Sequence, residues 1–521
     1  MFELAKINTY LSGGETKSID LSCFTINSET QGSLISRRKL MKSQKFQLVF
    51  SVLIIMGLFL SACATATPAP TEPPAVEEPA APAVEEPAVV PEEPTAVPVE
   101  PTAVPEEPEP VAEPVEITFW HAMSGSREEI VNGIAERFNA SHPGIVVKPE
   151  YTGSYAETVT KALAAYRTGT APTIVQSYEV GTRTMYDSGA IVPVYTLNTG
   201  DVDWEEVVTP IRKYYTLEGN LSCMPFNSST AMIYYNKDMF TAAGLDPEVV
   251  PVTWADIESM SKTIMDAGLA EGGLSMGWPA WIFEQMFAYH DQLLANNDNG
   301  RSAIASEVYL NSDFGVKMMT EWQRMAQEGV LVYGGREYAA NDPFLAGQFP
   351  FLIQSTSSLG GILKNATFKV GTAFLPRLSD EYPQGNSVVG GACLWVFDSA
   401  TPEQQAAAWE FFKFTFSVDE AIAWHKGTGY FPTSISAYEQ LIAEGWFETE
   451  PNHATAFNQI LGGADTPASN GVILGDFVTI RDVVGAAIED VVVNGVDPQV
   501  ALDKATADTN QILADYISLL P

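Results

Sequence analysis

Residues 116–147 read EITFWHAMSGSREEIVNGIAERFNASHPGIVV, and this stretch decides the fold. Glu116 to Trp120 reads as a short strand. Ser126-Arg127-Glu128-Glu129 has the form of a capping box, with Ser126 as N-cap and Glu129 at N3. Ile130, Ile134 and Phe138 then recur at i, i+4 and i+8, on one face of a helix. Pro143-Gly144 stops that run, and Ile145-Val146-Val147 is the next strand. Strand, amphipathic helix, strand is a βαβ unit.

The same alternation continues outward. Tyr155 to Tyr166 places Val159, Leu163 and Tyr166 on one side of a helix, Ala171-Pro172 interrupts, and Thr173 to Gln176 is again strand. Repeated alternation predicts a doubly wound, mostly parallel sheet. Ligands in such sheets sit beyond the carboxyl ends of the strands, a position held here by Gln176-Ser177-Tyr178-Glu179. Ala231 to Tyr235 is a further strand; Asn236 caps the next helix, Asp238 lies in its first turn and Gly244 stops it. Helices follow from Thr253 to about Ala295. Gly390 to Val396 is a strand headed by a glycine pair, and the last hundred or so residues are mainly helical.

Upstream, Val49 to Leu60 is apolar but too short to span a membrane, and Arg37, Arg38, Lys39, Lys42 and Lys45 precede it. Leu60-Ser61-Ala62-Cys63 closes it. Residues 1–62 therefore read as leader and signal, with Met41 as the expected start, and the pattern resembles a lipobox, with Cys63 as the expected lipidation site. Residues 63–115 carry Ala, Pro, Glu, Val and Thr, with no Lys or Arg. Such a segment cannot offset its ordering entropy and reads as a disordered, extended tether, reaching roughly 150 Å at about 3.1 Å per residue. The formal charge of −37 argues against nucleic acid and anionic membrane surfaces as partners. About four hundred folded residues imply two domains. Cys223 and Cys393 either pair or stand as separate thiols. Their apolar, strand-like surroundings favour separate thiols.

Several segments carry a resemblance. Asn236-Lys237-Asp238-Met239-Phe240, Ala243-Gly244-Leu245 and Thr253-Trp254 resemble family 1 extracellular solute-binding proteins of ABC importers. Phe119-Trp120-His121-Ala122-Met123, Tyr166-Arg167-Thr168-Gly169, Tyr178-Glu179-Val180-Gly181-Thr182, Pro225-Phe226-Asn227-Ser228-Ser229 and Gly427-Thr428-Gly429-Tyr430-Phe431-Pro432 resemble the sn-glycerol-3-phosphate-binding members of that family. The likeness covers about residues 116–515. It implies an α/β, two-lobed periplasmic-binding-protein-like fold of type II, with a hinge and an interlobe cleft. The expected lobes are 116–223 with 373–426, and 224–372 with 427–521. It further implies a monomeric, exported receptor that hands a small solute to permease subunits, without cofactor, metal or catalysis. Position by position, the resemblance assigns ligand contact to Tyr155, Glu179, Ser229, Ser355, Gly391, Tyr430 and Arg481. The match is loosest at Ser355.

The residue chemistry agrees with a phosphorylated polyol. Arg481 offers a bidentate fork, Ser229 and Ser355 hydroxyls, Tyr430 a phenol and Gly391 an approachable N–H. Ser355 also precedes a helix start near Leu359. Glu179 would repel phosphate, so acid and cation are expected at opposite ends of the cleft, with Arg481 on phosphate and Glu179 on hydroxyls. Each residue also has an ordinary alternative: a surface ion pair for Arg481, a helix cap for Glu179, turns for Ser229 and Gly391, packing for the tyrosines. Trp254, Trp278, Trp281, Phe283 and Phe287 suit core packing, with Trp278 or Trp281 placed to wall a cleft. A sugar receptor is the runner-up. A hydrolase needs a metal cluster or activated nucleophile, and the chain carries no recognisable pattern for either.

Overall fold

The computed structural model describes residues 113–520. The leader, Cys63 and nearly all of the tether lie outside them. The chain first lays down β1 (Val115–His121), helix α1 (Ser126–Ser141), β2 (Ile145–Tyr151), helix α2 (Tyr155–Arg167) and β3 (Ile174–Tyr178). The short β4 (Ile191–Val192) and then β5 (Met224–Ser229) follow. It next builds β6 (Ala231–Asn236), β7 (Leu274–Met276), helix α3 (Pro279–Tyr289), β8 (Leu331–Val332), β9 (Phe351–Ser355) and β10 (Val370–Ala373). β11 (Gly390–Phe397) then returns to the first sheet, covered by helix α4 (Pro402–Phe416). Among the later helices, α5 (Phe477–Val492) carries Arg481.

The two sheets define two lobes. The first runs β2-β1-β3-β11-β4, with β5 also on β11; the second runs β8-β7-β9-β6-β10. β1, β2 and β3 are parallel, as the alternation predicts. β11 is antiparallel to β3 and to β5. It arrives from the other lobe and not through a βαβ crossover, so the parallel rule does not reach it.

Two local expectations change. Met224–Ser229, expected in the second lobe, is hydrogen-bonded to β11 of the first, so the chain changes sheet at Thr230. Cys223 and Cys393 form a disulfide, with Cα atoms 5.9 Å apart. Separate thiols were the expectation. The register of β5 on β11 sets Cys393 opposite Pro225, beside Cys223, and that neighbourhood arises from strands far apart in sequence.

The opening unit folds for the reasons its sequence suggests. Ile117, Phe119 and His121 alternate inward along β1, and Val131, Ile134, Ala135 and Phe138 bury the face of α1. Phe138 meets Phe411 of α4 edge-on at 5.2 Å. The N-cap of α1, however, is Gly125, at φ 60, with no side-chain cap bond. That left-handed turn, cheap only for glycine, starts the helix one residue early and makes Ser126 already helical. The capping box occurs instead at Ser154 and Glu157, at the start of α2.

The crossings between lobes lie side by side. Thr230 Oγ1 donates to the Val388 carbonyl at 3.0 Å, and Phe431 N–H donates to Ser228 O at 2.7 Å. Ser229, Gly391 and Tyr430 thus flank the three connecting segments.

Candidate functional site

A pocket lies between the lobes. All seven candidates line it: Tyr155, Glu179, Ser229, Ser355, Gly391, Tyr430 and Arg481. Four of them arrive at an element end. Tyr155 opens α2, Glu179 follows the last residue of β3, and Ser229 and Ser355 close β5 and β9. Strand ends place side chains where the sheet no longer covers them, which is why a cleft forms there.

One cluster is ionic. Arg481 Nη1 lies 2.7 Å from Glu179 Oε1. Its Nε and Nη2 donate to both oxygens of Glu284, at 2.8 and 2.7 Å. All three side chains are buried, Arg481 at 11 % exposure and the carboxylates at 5 % and 6 %. The expectation of acid and cation at opposite ends is therefore overturned. The cause is long-range: α5 comes from one lobe and the end of β3 from the other, and lobe closure sets them together. One guanidinium faces two carboxylates, so the cluster is formally negative. Burial pushes the Glu179 carboxyl upward against the opposing pull of Arg481. For Arg481, burial works against the charged form, but the carboxylates of Glu284 and Glu179 outweigh it and hold the guanidinium protonated.

The second cluster is made of hydroxyls. Tyr155 OH accepts from Asn227 Nδ2 at 2.8 Å and lies 3.3 Å from Tyr430 OH. The Tyr155 ring stacks on Tyr178 at 5.1 Å. Ser355 Oγ accepts from Ser357 N–H at 3.2 Å and so caps the short turn Thr356–Ser358. Ser357 Oγ lies 3.2 Å from Tyr338 OH, which accepts from Arg127 Nη1 at 3.1 Å. Gly391 sits at φ +95, and a Cβ there would lie 1.8 Å from the Asn227 carbonyl oxygen. Sheet packing alone therefore demands glycine at 391.

Tyr178, Trp278, Trp281, Tyr338 and Ser357 also line the pocket. Both tryptophans wall it, whereas Trp254 and Phe283 pack around Trp322 in the core. Trp278 holds φ 53 and donates its N–H to Glu337 O at 3.1 Å. Tyr178 was within reach of sequence reading, as the last residue of a strand. Tyr338, Ser357 and Glu284 carry no local signal.

With this geometry in place, known proteins give a consistent picture. A family model described as bacterial extracellular solute-binding protein matches residues 133–455. The chain belongs to the bacterial extracellular solute-binding proteins. Among members of this family, it is 36 % identical over 409 residues to the sn-glycerol-3-phosphate-binding periplasmic protein UgpB of Yersinia pseudotuberculosis, covering 77 % of this chain and 93 % of that protein. The crystal structure of UgpB from Mycobacterium tuberculosis in complex with glycerophosphocholine superposes with a TM-score of 0.67 at 21 % identity, over 78 % of this solute-binding protein and 100 % of that chain. The cyclic alpha-maltosyl-1,6-maltose binding protein of Arthrobacter globiformis gives a TM-score of 0.64 at 22 % identity, covering 77 % and 100 %. These neighbours fix the two-lobed, type II periplasmic-binding-protein fold.

Proposed function

We propose that this solute-binding protein is the monomeric receptor of an ABC importer. It captures sn-glycerol 3-phosphate or a related glycerophosphodiester between its lobes and delivers it to permease subunits, performing no covalent chemistry. The observation that carries this reading is the division of one small pocket into an ionic cluster and a hydroxyl cluster. The 36 % identity to a protein named for binding sn-glycerol 3-phosphate supports it. Tyr155, Glu179, Ser229, Ser355, Gly391, Tyr430 and Arg481 are its proposed contacts. Because Glu179 and Glu284 already balance the charge of Arg481, the phosphate goes to the hydroxyls of Ser229, Ser355, Tyr155 and Tyr430 and the N–H of Gly391. The glycerol hydroxyls go to Glu179 and Arg481, where a carboxylate accepts and a guanidinium donates.

Glu179→Gln tests the assignment. It removes the charge but leaves Arg481 balanced by Glu284, so the fold is expected to survive. Affinity for sn-glycerol 3-phosphate should fall by about 1.5–3 kcal/mol, the worth of hydrogen bonds to a charged group. Residual binding of inorganic phosphate should change less. Isothermal titration with unchanged affinity for sn-glycerol 3-phosphate would remove Glu179 from the site.

The proposed location is the outer face of the cytoplasmic membrane, through lipid on Cys63. Cys63→Ser should release the protein from the membrane fraction or leave it unprocessed. Mass spectrometry of the wild type showing an unmodified mature N-terminus at another residue overturns the anchor. A sugar receptor remains the second reading, favoured by one observation, the pair of indoles of Trp278 and Trp281 along the pocket.

A further inference from the structure

Arg127 stands apart from the other charged groups near the pocket. It sits in the first turn of α1, on the first lobe, and is half-buried. Its guanidinium lies 4.9 Å from the centre of the Tyr338 ring, and its Nη1 donates to the Tyr338 hydroxyl at 3.1 Å. Tyr338 and Ser357 belong to the second lobe and both line the pocket. Among the described residues, no carboxylate lies within 4.0 Å of Arg127. Burial disfavours its charge, but a guanidinium stays protonated in proteins, and the Tyr338 hydroxyl accepts from it.

The charge balance of the pocket gives this residue a task. Arg481 is outnumbered by two carboxylates and contributes no net positive charge. Hydroxyls and one backbone N–H supply donors for an anion but no countercharge. A phosphomonoester carries close to two negative charges at neutral pH. Leaving such a dianion in a closed pocket without a cation is costly. Arg127 is a cation beside the hydroxyl cluster, and its donors are not committed to an acid.

We infer that Arg127 supplies the countercharge for the ligand's phosphate and sets the preference for a dianionic over a monoanionic ligand. The inference rests on the reading of the pocket as a glycerol-phosphate site. Because Arg127 and Tyr338 come from different lobes, the countercharge is in place only when the lobes are closed. Arg127 thereby joins ligand charge to closure, since an anion at the hydroxyl cluster attracts the first lobe onto the second.

The test is isothermal titration of wild type, Arg127→Gln and Arg127→Lys with two probes, sn-glycerol 3-phosphate and glycerophosphocholine, at fixed salt. Arg127→Gln should weaken sn-glycerol 3-phosphate by at least about tenfold. It should weaken the phosphodiester, which carries one phosphate charge fewer, by a smaller factor, so the ratio between the two affinities drops. Arg127→Lys should recover part of that ratio, because it restores the charge without the fork. A residue that only positions Tyr338 would change both affinities alike and leave the ratio fixed. Thermal melting checks the fold, and Arg127→Met, which keeps the apolar stem on Tyr338, gives the same comparison should the glutamine variant not fold. An unchanged affinity ratio, with wild type binding sn-glycerol 3-phosphate, overturns this inference alone. Failure of wild type to bind either probe overturns the pocket reading and this inference with it.

Discussion

Arg481→Ala is expected to lose ligand binding and, in addition, about 3–5 kcal/mol of folding stability. Two buried carboxylates depend on this one guanidinium. Glu179 receives Nη1 from across the lobes, and Glu284 receives Nε and Nη2 side by side. Removing the cation leaves both acids desolvated and close to one another, and breaking a buried pair costs far more than an exposed one. Arg481→Lys should recover only part, since a single ammonium cannot reproduce a planar fork shared between two acids. Replacing the acids together with the cation, as in Glu179→Gln, Glu284→Leu, Arg481→Met, should restore most of the stability and none of the binding. Urea unfolding of the three variants separates these contributions. A stability loss below about 1 kcal/mol for Arg481→Ala would show that the cluster is solvated in solution and does not behave as a buried triad.

The second large effect is acid unfolding driven by histidines. His121, His290 and His453 are held down to about 4 and His425 to about 3, in each case chiefly by burial. In two of them the hydrogen bonds add a second reason. His290 Nε2 accepts the Leu378 N–H at 2.8 Å while Nδ1 donates to Met286 O at 2.7 Å. His425 Nε2 accepts the Trp446 indole N–H at 3.2 Å while Nδ1 donates to Tyr430 O at 2.7 Å. Neither ring can take a second proton without breaking an accepted bond. The unfolded value is 6.5, so each folded value is depressed. Stability from these groups is fully present above that pH and is lost as pH falls through 4. Each depression corresponds to about 3–5 kcal/mol. Four such groups rival the whole stability of an ordinary domain, about 5–15 kcal/mol. Unfolding midpoints in urea should therefore drop steeply between pH 6.5 and pH 4. A flat profile across that range would mean that these rings are open to solvent.

The opening βαβ unit was legible because its information is local. Ile117 and Phe119 alternate, Ile134 and Phe138 recur at helical spacing, and Pro143-Gly144 marks the break. The seven candidate contacts came through resemblance, and they line one pocket. What escaped the sequence depends on pairs brought together by the two lobes. Glu179 and Arg481 looked like opposite poles because nothing local says that α5 meets the end of β3. Glu284 lies in an apolar helix, α3, every residue of which is buried, and its charge has meaning only beside Arg481. The disulfide depends on the register of β5 on β11, which sequence spacing does not encode. Ser126 failed as a cap because Gly125 turned the chain one residue earlier. Arg127 has no local signal beyond its place in that false capping box, and its contact with Tyr338 spans the cleft.

The most direct test of the pocket is calorimetric titration of the folded region with sn-glycerol 3-phosphate, glycerophosphocholine, maltose and inorganic phosphate. One site per chain is expected to take a glycerol phosphate at least about a hundredfold more tightly than maltose or free phosphate, because donors left unpaired in a closed pocket cost about 1–3 kcal/mol each. Tight maltose binding with no heat from either glycerol phosphate would contradict it and make the tryptophan-lined wall a sugar platform.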